Sequence, residues 1–209
     1  MIDLHTWNTP NGRKVSIMLE EVGLPYRVHA VDIGKEQQFT PEFLAISPNN
    51  KIPALVDSDS DQPLMESGAI LIYLADKTHQ LLPADARRYT VLQWLMWQMG
   101  GFGPMLGQTH HFFHYNRGKS DYAEARFLAE TQRLYGVLDQ QLARSQFVAG
   151  DYSIADIAIW PWVSRYEWQS VDLHAFPNVL RWYVEIAVRP AVQRGYHVPA
   201  RVNEIPMPA

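Results

Sequence analysis

The chain has 209 residues, 47% hydrophobic and 19% charged, with a formal net charge of −4. This is the balance of a folded globular chain of one large or two small domains, without the basic surplus that nucleic acid or an anionic membrane would require. Cysteine is absent, which excludes disulfide staples, thiolate metal sites and a protein-borne thiol nucleophile, so any thiol chemistry needs a ligand that brings the sulfur.

In chain order, Ile2-Asp3-Leu4-His5-Thr6-Trp7 alternates weakly and predicts a strand, and Asn8-Thr9-Pro10-Asn11-Gly12 predicts a turn. Val15, Ile17, Met18, Leu19 and Val22 recur at helical spacing up to Gly23, and Tyr26 to Asp32 predicts a second strand. A strand, helix, strand unit of this length implies a parallel pair. Residues 34–39 read as a polar loop, and Thr40-Pro41-Glu42-Phe43-Leu44 as a short helix with Thr40 at its cap. Leu55-Val56-Asp57 and Pro63-Leu64-Met65-Glu66 flank residues 58–62 as a hairpin, and a helix follows over 67–77. The first part is therefore βαβ, a short helix, then ββα, a thioredoxin-like order.

Residues 79–87 read as a linker between a domain at 1–78 and an all-helical domain at 88–209. A tryptophan-rich helix is predicted over 88–99, and Gly100-Gly101-Phe102-Gly103-Pro104 is expected to kink or break it. A long amphipathic helix is predicted over 122–142. Ser153-Ile154-Ala155-Asp156 has the spacing of a capping box, and the apolar run 157–163 predicts a buried central helix. Another helix is expected from Phe176-Pro177-Asn178 to about Val188, and the proline-containing tail is expected to be irregular. No run is long and apolar enough for a membrane span, and the first residues do not form a signal peptide, so the expected compartment is the cytoplasm.

Two short stretches carry the chemistry. The Ile52-Pro53 bond is a candidate cis peptide. Turned outward there, the Ile52 N–H and C=O would pair with an extended peptide laid alongside. Glu66-Ser67 opens a helix, where a serine hydroxyl and helix N–H groups suit a carboxylate. By themselves the same residues also describe a plain hairpin with a proline at its edge and a serine at a helix start.

The whole chain resembles the cytosolic glutathione transferases. The residues that carry the resemblance are Ile52-Pro53-Ala54-Leu55 and Glu66-Ser67 in a thioredoxin-like front half, then Ser153-Ile154-Ala155-Asp156 in a helical half. Thr9-Pro10-Asn11-Gly12, Ser47-Pro48-Asn49-Asn50-Lys51, Gln93-Trp94, Gly103-Pro104-Met105-Leu106-Gly107-Gln108 and Glu130-Thr131-Gln132-Arg133-Leu134-Tyr135 are most similar to the nu class. These are bacterial glutathione-dependent disulfide-bond oxidoreductases related to yeast prion-type nitrogen regulators.

The resemblance implies that glutathione is bound as co-substrate, reduced or as its disulfide, by Asn11, Gln38, Lys51, Ile52, Pro53, Glu66, Ser67 and Arg126. Ile52 beside cis-Pro53 would take the cysteinyl backbone, Glu66 and Ser67 the γ-glutamyl end, and Gln38 and Lys51 the glycine end. Arg126 would contact glutathione from the helical half, or else sit on a solvated face.

A free thiol is only a few per cent thiolate at neutral pH, so the sulfur needs anion stabilisation. The resemblance points to Thr9 and Asn11 as the catalytic pair, with Thr6 as a competitor. The implied reaction is disulfide reduction by bound glutathione thiols, with no metal and no protein cysteine. The alternatives are conjugation of glutathione to electrophiles, and a non-catalytic glutathione-responsive regulator. The implied partners are glutathione, a small disulfide or electrophile, and a second copy of the chain. His110, His111 and His114 have a spacing compatible with a metal pair, or border an electrophile pocket with Phe112, Phe113 and Trp168.

Overall fold

The computed structural model describes residues 1–60 and 62–208; Asp61, within the expected hairpin loop, and Ala209 lie outside the described residues. The chain forms two compact units. One comprises Met1–Leu82 with Val188–Ile205, the other Pro83–Ala187 with the residues from Pro206 on. The expected division at 79–87 therefore needs amending at its C-terminal end, because residues 188–205 pack with the first unit.

The first unit is built on a four-stranded sheet of order β2-β1-β3-β4, with β1 at Ile2–Thr6, β2 at Tyr26–Ala30, β3 at Ala54–Asp57 and β4 at Pro63–Met65. β1 and β2 are parallel, joined by helix α1 (Pro10–Val22); β3 runs antiparallel to both β1 and β4. Period-two alternation buries Ile2, Leu4 and Thr6 on one face of β1. Of the residues read as a turn at 8–12, Pro10, Asn11 and Gly12 are in fact the first turn of α1. Thr9 is its cap, its hydroxyl oxygen accepting the Gly12 N–H at 3.1 Å, and Pro10 takes the first helical position, where no N–H is needed. Gly23 ends the helix in the left-handed region at φ 69°.

Helix α2 (Pro41–Ile46) is capped by Thr40 as expected. It packs Phe43 with Val31 and Ala54, flanked by Ile46 and Ile52. Helix α3 (Ser67–Thr78) covers the sheet through Ile70, Leu71 and Leu74. Asp57, at the end of β3, ties the hairpin to α3 by accepting from Tyr73 Oη at 2.7 Å and pairing with Lys77 at 2.8 Å. Burial pushes its carboxyl up, and these hydrogen bonds outweigh burial and hold it at about 2.

The tail is not irregular throughout. Pro190–Tyr196 forms a helix against α1. Arg13 on α1 is fully buried, donates to the Tyr196 carbonyl at 3.1 Å and lies 3.5 Å from the Tyr196 ring centroid. Ser16 donates to the Gly195 carbonyl at 2.7 Å, and Arg189 pairs with Glu21 at 2.7 and 2.9 Å. A Cβ at Gly195 would sit 2.6 Å from the Ile17 Cα and 2.7 Å from its nitrogen, both backbone atoms that cannot swing away. Gly195→Ala is expected to cost roughly 2–3 kcal/mol by prising this helix off α1. Urea unfolding would show it as a lower midpoint at unchanged slope.

The second unit holds α4 (Arg87–Trp97), α5 (Gly103–Thr109), α6 (Asp121–Leu142), α7 (Ile154–Val163) and α8 (Pro177–Ala187); the tail helix is α9. The glycine-proline stretch does not break the helix that α4 begins. A π-helical turn at Gln98–Phe102 joins α4 to α5, and a second at His110–Tyr115 follows α5, with helical backbone at both ends of α5. The wider turn absorbs the hydrogen bond that Pro104 cannot donate. Every residue of α7 is buried, and Trp160 donates to the Tyr183 carbonyl at 3.0 Å. The capping box at Ser153 and Asp156 is present.

Candidate functional site

The site lies in the first unit, where three local features of the chain converge on one cavity. It is lined by Asn11, Ser47, Asn49, Lys51, Ile52, Pro53, Met65, Glu66 and Ser67. Asn11 is in the first turn of α1. Lys51, Ile52 and Pro53 form the segment entering β3, and Glu66 and Ser67 join β4 to α3.

Each feature has a local cause. The turn at 47–51 is held by Ser47, whose hydroxyl donates to the Lys51 carbonyl at 2.8 Å and whose carbonyl accepts the Asn50 N–H at 2.8 Å. The Ile52-Pro53 bond is cis. Ladder pairing of β3 begins at Ala54, so the Ile52 backbone lies beyond the last paired residue of the sheet. The Ile52 side chain packs with Val31, Phe43 and Ala54, which anchors the segment from behind. An anchored backbone past the end of a ladder is the geometry for adding a short strand.

Glu66 adopts φ 69° and ψ 111°, and Asn50 adopts φ 48°. Two non-glycine residues in the left-handed half of backbone space flank one cavity, and such strain gathers at binding sites. Glu66 occupies the cap of α3 without a side-chain capping bond, so the helix starts with its positive end at the cavity. Ser67 is buried, and its hydroxyl is 3.4 Å from Lys14 Nζ. Lys14 is itself buried, 1% exposed. Burial pushes its ammonium down to about 7, and Glu66 pulls partly against that.

Of the residues proposed from sequence, Asn11, Lys51, Ile52, Pro53, Glu66 and Ser67 line the cavity together. Thr9 does not line it, but it caps the helix that carries Asn11 two residues on. The Thr9 oxygen accepts from the Gly12 N–H, which does not use the hydroxyl's own hydrogen. Its competitor Thr6 is fully buried. Gln38 is half-buried beside the same unit's α2, and Arg126 belongs to the second unit, where it is exposed on α6. Lys14 was missed by sequence reasoning, since a lysine one turn into a helix carries no local sign of burial.

The histidines of the second unit divide. His110 is buried, stacked on Trp162, and its Nε2 accepts from Gln169 Nε2 at 3.1 Å. Gln169 in turn accepts from Tyr135 Oη at 2.6 Å and donates to the Trp162 carbonyl at 2.8 Å. Burial and the Arg165 charge hold the His110 imidazole neutral, at about 4. It is a satisfied core residue. His114 stacks on Trp168 at 4.3 Å, and His111 is exposed.

Residues 9–77 match the family model for the glutathione S-transferase N-terminal domain, and residues 121–185 the model for its C-terminal domain. The disulfide-bond oxidoreductase YfcG of Escherichia coli is 54% identical over 198 residues, covering 91% of this chain and 92% of that protein. The glutathione transferase of Pseudomonas putida, crystallised with one glutathione disulfide per subunit, superposes with a TM-score of 0.90 at 48% identity, over 95% of this chain and 92% of that one. That of Burkholderia graminis, crystallised with two glutathione molecules per subunit, gives 0.89 at 50% identity, over 96% and 89%. Matched in both halves, and sharing over half its residues with a relative along nine-tenths of its length, the chain belongs to the glutathione S-transferase family.

Proposed function

We propose that the protein is a glutathione-dependent disulfide-bond oxidoreductase whose reacting thiols both come from glutathione. The observation that carries this reading is the cavity itself: backbone beyond the strand ladder at Ile52, a helix start at Ser67 and an amide side chain at Asn11, in a chain with no cysteine. The relatives bind glutathione disulfide or two glutathione molecules, which are the product and the reactants of such a reaction.

One bound glutathione thiolate attacks a disulfide R–S–S–R, forming a mixed disulfide and releasing one thiolate. A second glutathione thiolate attacks the glutathionyl sulfur, yielding glutathione disulfide and the second thiolate. Two thiols are oxidised and one disulfide is reduced, with no group on the protein changed. The protein supplies position and anion stabilisation. Ile52 takes the cysteinyl backbone, Glu66 the γ-glutamyl amine, Ser67 its carboxylate, Lys51 and Gln38 the glycine end, and Thr9 and Asn11 the sulfur. The reaction runs forward in the cytoplasm, where the glutathione pool is kept reduced.

The test is turnover of hydroxyethyl disulfide by glutathione, run beside conjugation of an aryl halide. Disulfide turnover well above aryl conjugation is expected. Conjugation alone would make the protein an electrophile transferase, and glutathione binding with neither turnover would make it a regulator.

A homodimer through the helical half completes the reading. Tyr89 and Met96, two turns apart on α4, are 73% and 52% exposed, an apolar strip that suits a partner. Light scattering at micromolar concentration is expected to give about twice 24.0 kDa; a monomer mass would refute it.

A further inference from the structure

A second cavity in the first unit shares no residue with the first. Its volume is about 300 Å³, at the lower end of the range for small-molecule pockets. It lies between α2 and the C-terminal ends of β1 and β2, where His5, His29, Val31, Glu42, Phe43 and Ile46 line it. Part of its wall is aromatic and held in place. His5 and His29 are register partners on parallel strands, and their rings stack at 4.5 Å and 13°. Asp3 fixes His29, with Oδ1 2.7 Å from Nε2. The Phe43 ring is 6.4 Å from that of His5, tilted by 54°, and is rooted in the apolar cluster with Val31 and Ala54. Glu42 and Ile46 are four residues apart on α2, so one helix face brings both to the cavity.

The charges around the cavity leave one group unanswered. Asp3 on β1 pairs with Arg27 of β2 at 2.9 Å as well as with His29, and Lys35 pairs with Asp32 at 3.4 Å. Burial, reinforced by the neighbouring His29, lowers the His5 pKa, so its imidazole is neutral at pH 7.5. Among the described residues lining the cavity, Glu42 is the one carboxylate, and no lysine or arginine joins it. Glu42 is exposed and has no ion pair among the described residues. Its place in the first turn of α2 favours the helix by itself. What sets it apart is the aromatic cavity that it borders.

We propose that this cavity is a second ligand site and that it takes a protonated aromatic amine, with the ring against His5, His29 and Phe43 and the ammonium at Glu42. Three aromatic side chains offer faces and edges to a planar ligand, and Val31 and Ile46 shield its apolar carbons from water. A carboxylate with no cation of its own favours an ammonium over a neutral or anionic molecule of the same shape. Binding is non-covalent, and no bond changes. The site uses none of the residues assigned to glutathione and stands independently of that reading.

The experiment is titration of the full-length protein with 2-phenylethylamine at pH 7.5, followed through the histidine ring resonances by NMR. 2-Phenylethanol and 3-phenylpropionate, which carry the same ring with a neutral and an anionic end, are run beside it. The amine is expected to shift the His5 and His29 resonances with a Kd of about 0.1–1 mM, the scale for a ligand of about nine non-hydrogen atoms. The other two probes are expected to bind at least about fivefold more weakly. Glu42→Gln, an exchange of equal shape at an exposed position, is expected to weaken the amine about fivefold while its spectrum otherwise superposes on that of the wild type, which shows the fold intact. The amine is expected to stay bound under saturating S-methylglutathione. Its displacement would place it in the first cavity and overturn the assignment. So would equal binding of the three probes, unchanged affinity in Glu42→Gln, or no shift at His5 and His29.

Discussion

Replacing Thr9 and Asn11 together by alanine is expected to lower kcat/KM for hydroxyethyl disulfide by roughly a hundredfold, the scale of losing the donors that stabilise a reacting anion. The physical basis is the start of α1. Thr9 uses its oxygen lone pair on the Gly12 N–H, which fixes the hydroxyl and leaves its hydrogen to donate. Asn11, two residues on, lines the cavity, and the helix start adds its partial positive charge. A glutathione thiolate placed there is stabilised without any protein base. The loss should fall on turnover more than on glutathione affinity, because in the proposed binding mode Ile52, Glu66 and Ser67 would hold the peptide independently of sulfur. Thr9→Ala also removes the helix cap, worth about 1 kcal/mol, so Thr9→Ser is the control that keeps both cap and donor. Unchanged turnover in the double variant would show that sulfur is anchored elsewhere.

The second large effect concerns stability. Asp156 is fully buried and accepts four hydrogen bonds: from the Val148 N–H at 2.9 Å, Trp182 Nε1 at 2.9 Å, and the Ser153 N–H and hydroxyl, both at 3.1 Å. It caps α7 and ties it to α8 and to the loop before it. Asp156→Ala strands buried donors and is expected to cost roughly 4 kcal/mol in urea unfolding. Asp156→Asn keeps one acceptor oxygen, enough for Val148 and Trp182, and should lose about half as much.

Asp156 also has a pH signature. Burial pushes its carboxyl up to about 6, against the pull of its four donors. A value raised above that of the unfolded chain means the folded state binds the extra proton between about pH 4 and 6. This contribution is present below the unfolded value and is lost as pH rises through 6. The wild-type advantage over Asp156→Asn should therefore shrink over that window, and an advantage that grew instead would mean the carboxylate is the preferred buried form.

What was legible in the sequence was what local chemistry determines. The capping box at Ser153 and Asp156 spans four residues, and Thr40-Pro41 marks a helix start by itself. The order of strands and helices in the first unit follows from periodicity; that Ile52, Glu66, Ser67 and Asn11 share one site was implied by the resemblance to the glutathione transferases, and the four line one cavity. Non-local partners were not legible. Prolines and poor periodicity made the tail read as irregular, yet α9 covers α1 through Arg13 and Ser16, partners about 180 residues away. That cover buries Arg13, and Ser67 of α3 lies against Lys14, on a helix whose sequence offers both as surface cations. The stretch from Gly100 to Tyr115 shows another limit. Glycine and proline there predict a kink or a break, and the structure has two π turns, one on each side of α5. Such turns leave no mark in a 3.6-residue pattern.

The central claim is that the cavity at Ile52, Glu66 and Ser67 grips glutathione while Thr9 and Asn11 face its sulfur. A crystal structure with glutathione disulfide soaked in tests it most directly. The expected result is a peptide backbone paired with the Ile52 N–H and C=O, the γ-glutamyl carboxylate on Ser67, and a sulfur within about 3.5 Å of the Thr9 hydroxyl or the Asn11 amide. A glutathionyl group seated on Ile52 with both sulfurs turned away from Thr9 and Asn11, or bound away from Ser67 altogether, would contradict it.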